Sequence, residues 1–73
     1  GVPIAGLLSV GFEVGADGRS RNVRVLCDTT RVPASEEPAR RRVVSKVLRF
    51  LREVQFGRQR GQSQVTLPVV FER

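Results

Sequence analysis

Histidine, tryptophan, tyrosine and methionine are all absent from this chain, and cysteine occurs once, as Cys27. Without histidine, a zinc centre would need carboxylates for nearly every ligand, a poor match to that metal. The same absence removes the side chain best suited to general acid–base work near neutral pH. Cys27 has no partner for a disulfide and no histidine to activate it as a nucleophile. No glycine-rich loop leads into a lysine in the manner of a phosphate cradle. Glu36 and Glu37 stand together, but at a helix start, where the dipole favours their ionised forms over general-acid work. The sequence therefore reads as non-enzymatic, with no cofactor and no metal.

Long apolar runs are also missing. No stretch approaches the ~18 residues needed to cross a bilayer, and residues 1–6 lack the basic start and apolar centre of a signal peptide. The chain begins at Gly1, which suggests a piece of a longer protein with its targeting and anchoring sequence elsewhere. At 73 residues it forms a single domain that buries only about 60% of the surface its unfolded form exposes. Residues 1–6 are expected to be a flexible lead.

Basic residues are plentiful, 13 against 7 acidic, for a net charge of +6. Lys46 is the sole lysine among them. Such a charge attracts anionic partners without choosing among nucleic acid, lipid and acidic protein.

The apolar residues follow a clear order. Leu8, Val10, Phe12 and Val14 alternate with Ser9, Gly11 and Glu13, the period of a half-buried strand. Gly15-Ala16-Asp17-Gly18 is turn chemistry. Val23, Val25 and Cys27 then alternate again, completing an antiparallel hairpin. This places Cys27 on the apolar face as a small buried hydrophobe. Pro33 ends the strand region, and Ser35 is the expected N-cap of a helix over about 35–55, with Pro38 in its first turn. Val43, Val47, Phe50, Leu51 and Val54 recur at helical spacing, and the helix is expected to stop near Gly57. Gly57–Ser63 reads as a loop. Val65, Leu67, Val69 and Phe71 make a third strand, which Pro68 assigns to a sheet edge. All four phenylalanines, Phe12, Phe50, Phe56 and Phe71, are expected in the core, and the uncovered sheet face is expected to be polar. The fold class is α+β, a two-layer β-β-α-β domain with a three-stranded antiparallel sheet packed on one amphipathic helix.

In this order of parts the chain resembles the C-terminal domain of TonB-type energy transducers. Residues 8–27 resemble that family's hairpin, with Asp17-Gly18 at the turn and Val23 and Val25 in the second strand. Residues 48–56 stand for the end of its helix, Gly61 for its loop glycine, and Val65 to Phe71 for its last strand. The ending Leu67-Pro68-Val69-Val70-Phe71 is similar to members from gliding-motility and secretion systems. The resemblance spans most of residues 7–72. It implies a periplasmic domain, tethered to the inner membrane by sequence outside this chain. Such a domain binds a segment of an outer-membrane receptor or secretion component by strand addition.

Two candidate sites follow. An open edge at residues 64–71 is a template for strand addition, with Gln64, Val65, Thr66, Leu67, Val69 and Val70 meeting the partner, either a foreign segment or a second copy in a homodimer. The other candidate is a basic patch of Arg41, Arg42, Lys46, Arg49, Arg52, Arg58 and Arg60, which supports a nucleic-acid-binding alternative. Arg58 and Arg60 flank no aromatic, so base stacking has no platform there.

Overall fold

The structure, a computed structural model, describes residues 3–58 and 60–72. Strand β1 (Gly6–Val14) turns into β2 (Ser20–Asp28), a short 3-10 turn (Ala34–Glu36) leads into helix α1 (Glu37–Glu53), and β3 (Ser63–Phe71) closes the domain. The three strands form one antiparallel sheet in the order β2-β1-β3, with α1 on one side. The two-layer α+β architecture is the one the alternation requires.

The centre of the sheet is also the centre of the core. Leu8, Val10, Phe12 and Val14 are all but fully buried, joined by Leu51 of α1. Phe56 stacks on Phe12 with ring centroids 5.8 Å apart. Two anchors set the direction of α1. The Ser20 hydroxyl donates to the Leu51 carbonyl near the helix end, and Arg40 Nη1 lies 3.1 Å from Asp28 Oδ2 near its start. The helix therefore runs antiparallel to β2 and alongside it.

The hairpin turn closes through the Gly18 amide, which donates to the Gly15 carbonyl at 2.9 Å. Gly18 has φ +83°, and a Cβ there would lie 2.1 Å from the Phe56 carbonyl oxygen. The Phe56 amide in turn donates to the Gly18 carbonyl at 2.8 Å, and Gln55 Nε2 donates to the Asp17 carbonyl. This clamp draws the chain out of the helix after Glu53. It explains why α1 stops at Glu53, with Val54 already at ψ 139°, rather than near Gly57. At the other end Ser35 does not cap the helix. It lies inside the 3-10 turn, and Glu36 occupies the cap position without a side-chain bond.

Strand β2 departs most from simple alternation. Its register against β1 shifts between Ser9 and Val10, and again between Gly11 and Glu13, each time with one extra residue on β2. Asn22 sits at the second bulge with φ 55°, a conformation asparagine adopts more readily than most residues. Each bulge moves the following side chains across the sheet. Cys27 therefore pairs with Ser9 on the helix-free side and is exposed, not a buried hydrophobe. Leu26, 49% exposed, lies over Gly11, where a Cβ would meet its Cδ1 at 3.0 Å. The uncovered face is accordingly less polar than alternation alone predicts. Val25 stays opposite Val10 but is 41% exposed.

The lead segment is held. Ile4 is buried, and Ala5 exchanges two backbone hydrogen bonds with Arg31. Of the lead expected to be flexible, residues 4 and 5 thus make contacts with the fold, and residues 1 and 2 lie outside the described residues.

Candidate interaction site

Strand β3 pairs with β1 over nine consecutive residues with no shift in register. Backbone direction follows from the other side of β1. Ala5 exchanges two backbone bonds with Arg31, while the Leu7 carbonyl accepts from the Thr29 amide and the Leu7 amide donates to Thr29 Oγ1. Odd-numbered β1 residues thus turn their polar groups toward β2, and even-numbered ones turn toward β3. Gly6, Leu8, Val10, Phe12 and Val14 pair with Phe71, Val69, Leu67, Val65 and Ser63. The backbone groups of Gln64, Thr66, Pro68 and Val70 consequently face outward, along the open edge. Proline falls where its missing N–H costs the sheet nothing.

The two edges of the sheet are not equivalent. Strand β2 is broken twice by bulges and carries Arg21 and Arg24, devices that discourage pairing with another chain. Strand β3 has neither. Its outward donors are the amides of Gln64, Thr66 and Val70, and its outward acceptors include the Pro68 carbonyl.

Beside this edge lies an apolar groove. Because α1 follows β2, its stripe does not reach across the sheet, and the gap toward β3 stays open. Val47, Phe50, Leu51, Leu67 and Val69 line a depression of about 380 Å³, with Lys46 at its rim. Phe50 is 66% exposed and Leu67 37%. Phe50 is therefore a groove residue and not part of the core, while Phe12 is buried and Phe56 and Phe71 pack on the core. On the opposite face Val70 is 64% exposed.

The proposed partner-binding residues thus divide by face. Val65, Leu67 and Val69 point to the helix side, and Gln64, Thr66 and Val70 to the other. Sequence reading missed Val47 and Phe50 as groove residues. The available signal was an apolar helical stripe of Val43, Val47, Phe50, Leu51 and Val54, widened by Val44 and Leu48.

The basic residues do not form one patch. Arg41, Arg42, Lys46 and Arg49 share a shallow depression on the outer face of α1. Arg52 lies with Arg19 and Ser20 at the helix end. Arg58 joins Arg19, Asp17 and Gln55 beside the hairpin turn. Arg60 is exposed in the following loop.

One charged cluster is structural. Arg40 Nε donates to both Glu37 carboxylate oxygens at 2.9 Å, and its Nη1 reaches Asp28 and Thr30. The hydrogen bond from Arg40 holds the Glu37 carboxyl below its ordinary range. Hydrogen bonds from Thr30, assisted by Arg40, do the same for Asp28. The cluster ties the first turn of α1 to the end of β2. No group of His, Cys, Asp and Glu side chains that could hold a metal ion occurs among the described residues. No helix there is long and apolar enough to cross a membrane. No family model, curated protein or solved structure matches this chain.

Proposed function

We propose that this domain is a non-catalytic interaction module that takes up an extended segment of another protein as a fourth strand on β3. The observation that carries the reading is the open edge of β3, nine residues long and in constant register with β1, lying directly beside the apolar groove of Phe50, Leu67 and Val69. Main-chain bonds to Gln64, Thr66, Pro68 and Val70 supply affinity, and the groove selects alternate apolar side chains.

A foreign segment suits this edge better than a second copy. A proline-free segment loses one ladder bond at Pro68. A symmetric pair of β3 strands brings two copies of Pro68 and loses two, while setting both cationic rims against each other. Each lost bond leaves a carbonyl without its donor. The resemblance of residues 7–72 to the TonB C-terminal domain supports a role as the periplasmic end of a transducer anchored in the inner membrane. In that setting the partner is a segment of an outer-membrane receptor or secretion component.

The test uses peptides selected from a displayed random library against the whole domain. Selected sequences should alternate apolar and polar residues, and their binding should shift the amide signals of Gln64, Thr66 and Val70. Thr66→Pro removes an outward donor that the sheet does not use. It should leave the fold intact and weaken the selected peptide by about tenfold. Unchanged affinity in a folded Thr66→Pro variant, or peptides that map to another surface, would overturn the reading.

A further inference from the structure

The outer face of α1 carries cations for which the fold has no use. Arg40 is committed to Glu37 and Asp28, and Arg41 reaches Glu37 at 3.7 Å. Arg42, Lys46, Arg49 and Arg52 make no ion pair among the described residues, and all four are exposed. The first three are also close together. Arg41, Arg42, Lys46 and Arg49 surround Ser45 in one shallow depression of about 260 Å³. Arg41, Arg42 and Arg49 stand at i−4, i−3 and i+4 from Ser45, its neighbours on the helix surface, and Lys46 borders the same depression. A hydroxyl ringed by guanidinium and ammonium groups matches the oxygens of a phosphate.

We infer that this face docks on the phosphate headgroups of an anionic lipid surface. The geometry favours lipid over nucleic acid. The cations from Arg42 to Arg49 run about 10 Å along a convex helix. Headgroups on a bilayer move sideways to meet such a row, whereas phosphates on a strand are fixed in spacing. The face offers no aromatic platform and, apart from Ser45, no uncharged side chain that could read a base edge. Docked through this face, the domain keeps the sheet away from the lipid and leaves the β3 edge open. The inference stands independently of peptide binding at β3.

The test is co-sedimentation of the whole domain with vesicles of phosphatidylglycerol in phosphatidylcholine, against pure phosphatidylcholine. Each cation at an anionic surface contributes about fivefold to partitioning. Arg42→Gln/Lys46→Gln/Arg49→Gln should therefore weaken binding roughly 100-fold, with the circular dichroism spectrum unchanged. The matched variant Arg24→Gln/Arg31→Gln/Arg60→Gln loses the same charge elsewhere and should weaken it by less than ~10-fold. Binding to anionic but not neutral vesicles, lost selectively in the helix variant, supports the inference. Equal losses in the two variants would show an effect of net charge alone and overturn it. Absent binding to anionic vesicles would also overturn it, as would helix-dependent binding of an oligonucleotide that vesicles do not compete for.

Discussion

Leu26 lies over Gly11 on the helix-free side of the sheet, close enough that a Cβ on Gly11 would meet Leu26 Cδ1 at 3.0 Å. The bulge at Leu26, between the Ser9–Cys27 and Val10–Val25 pairs, produces this contact and also sends Cys27 outward. Cys27 should therefore react with a maleimide in the native protein at a rate comparable to that of the urea-unfolded chain, followed by mass spectrometry. Strong protection of the thiol in the native state would contradict the register of β2.

The second bulge depends on Asn22 at φ 55°. Asn22→Gly should be tolerated, because glycine adopts that conformation without strain. Asn22→Val should destabilise the domain by about 1–2 kcal/mol in chemical denaturation, the usual penalty for a left-handed residue with a branched Cβ. Similar stabilities for the two variants would place the bulge elsewhere.

The clamp between the hairpin turn and the segment after α1 makes a sharper demand. Gly18→Ala imposes strain at φ +83° and puts a methyl group 2.1 Å from the Phe56 carbonyl oxygen. The loss should be about 2 kcal/mol or more, because backbone on both sides must move. A Gly18→Ala variant as stable as the parent would show that the clamp does not form.

Acid should loosen the start of α1. Glu37 and Asp28 have folded-state values below their ordinary 4.5 and 3.8, so the folded protein binds fewer protons than the unfolded chain as pH drops through that range. Their contribution is fully present above about pH 4.5. It is lost as pH falls through the lowered folded values. Thermal melts should show Tm declining below that pH, and Arg40→Ala should flatten the decline by removing the principal cause of the Glu37 shift. A decline just as steep in Arg40→Ala would assign the acid sensitivity to other carboxylates.

Much of this architecture is legible in the sequence, and the parts that are not have particular causes. Leu8 to Val14 alternate without interruption, and in the structure they form the buried centre. Pro68 fits only an edge, and β3 is an edge. Cys27 was misplaced because alternation holds only while register holds, and the bulges depend on backbone conformation at single residues. Phe50 was misplaced for a different reason. Its position on the stripe is plain, but whether α1 covers β3 depends on anchors such as Ser20 to Leu51 and Arg40 to Asp28, which join residues far apart in sequence. The groove is thus a product of tertiary placement. The helix cations were legible as a face, and their separation from Arg58 and Arg60 was not.

Surface and shape agree with an incomplete enclosure of the core. The chain exposes 5174 Å², where a compact protein of its 8.1 kDa exposes about 4,500 Å². Its radius of gyration is 13.8 Å, against about 11 Å for a compact chain of this length. The surplus area is close to what one partner buries in an ordinary interface, about 800 Å².

Amide hydrogen exchange along β3 tests the open edge most directly. In the free domain the amides of Val65, Leu67, Val69 and Phe71 should be protected, and those of Gln64, Thr66 and Val70 should exchange quickly. On addition of a library-selected peptide the second group should become protected as well. Uniform protection of β3 in the free domain, or outward amides that stay unprotected in the complex, would contradict strand addition at this edge.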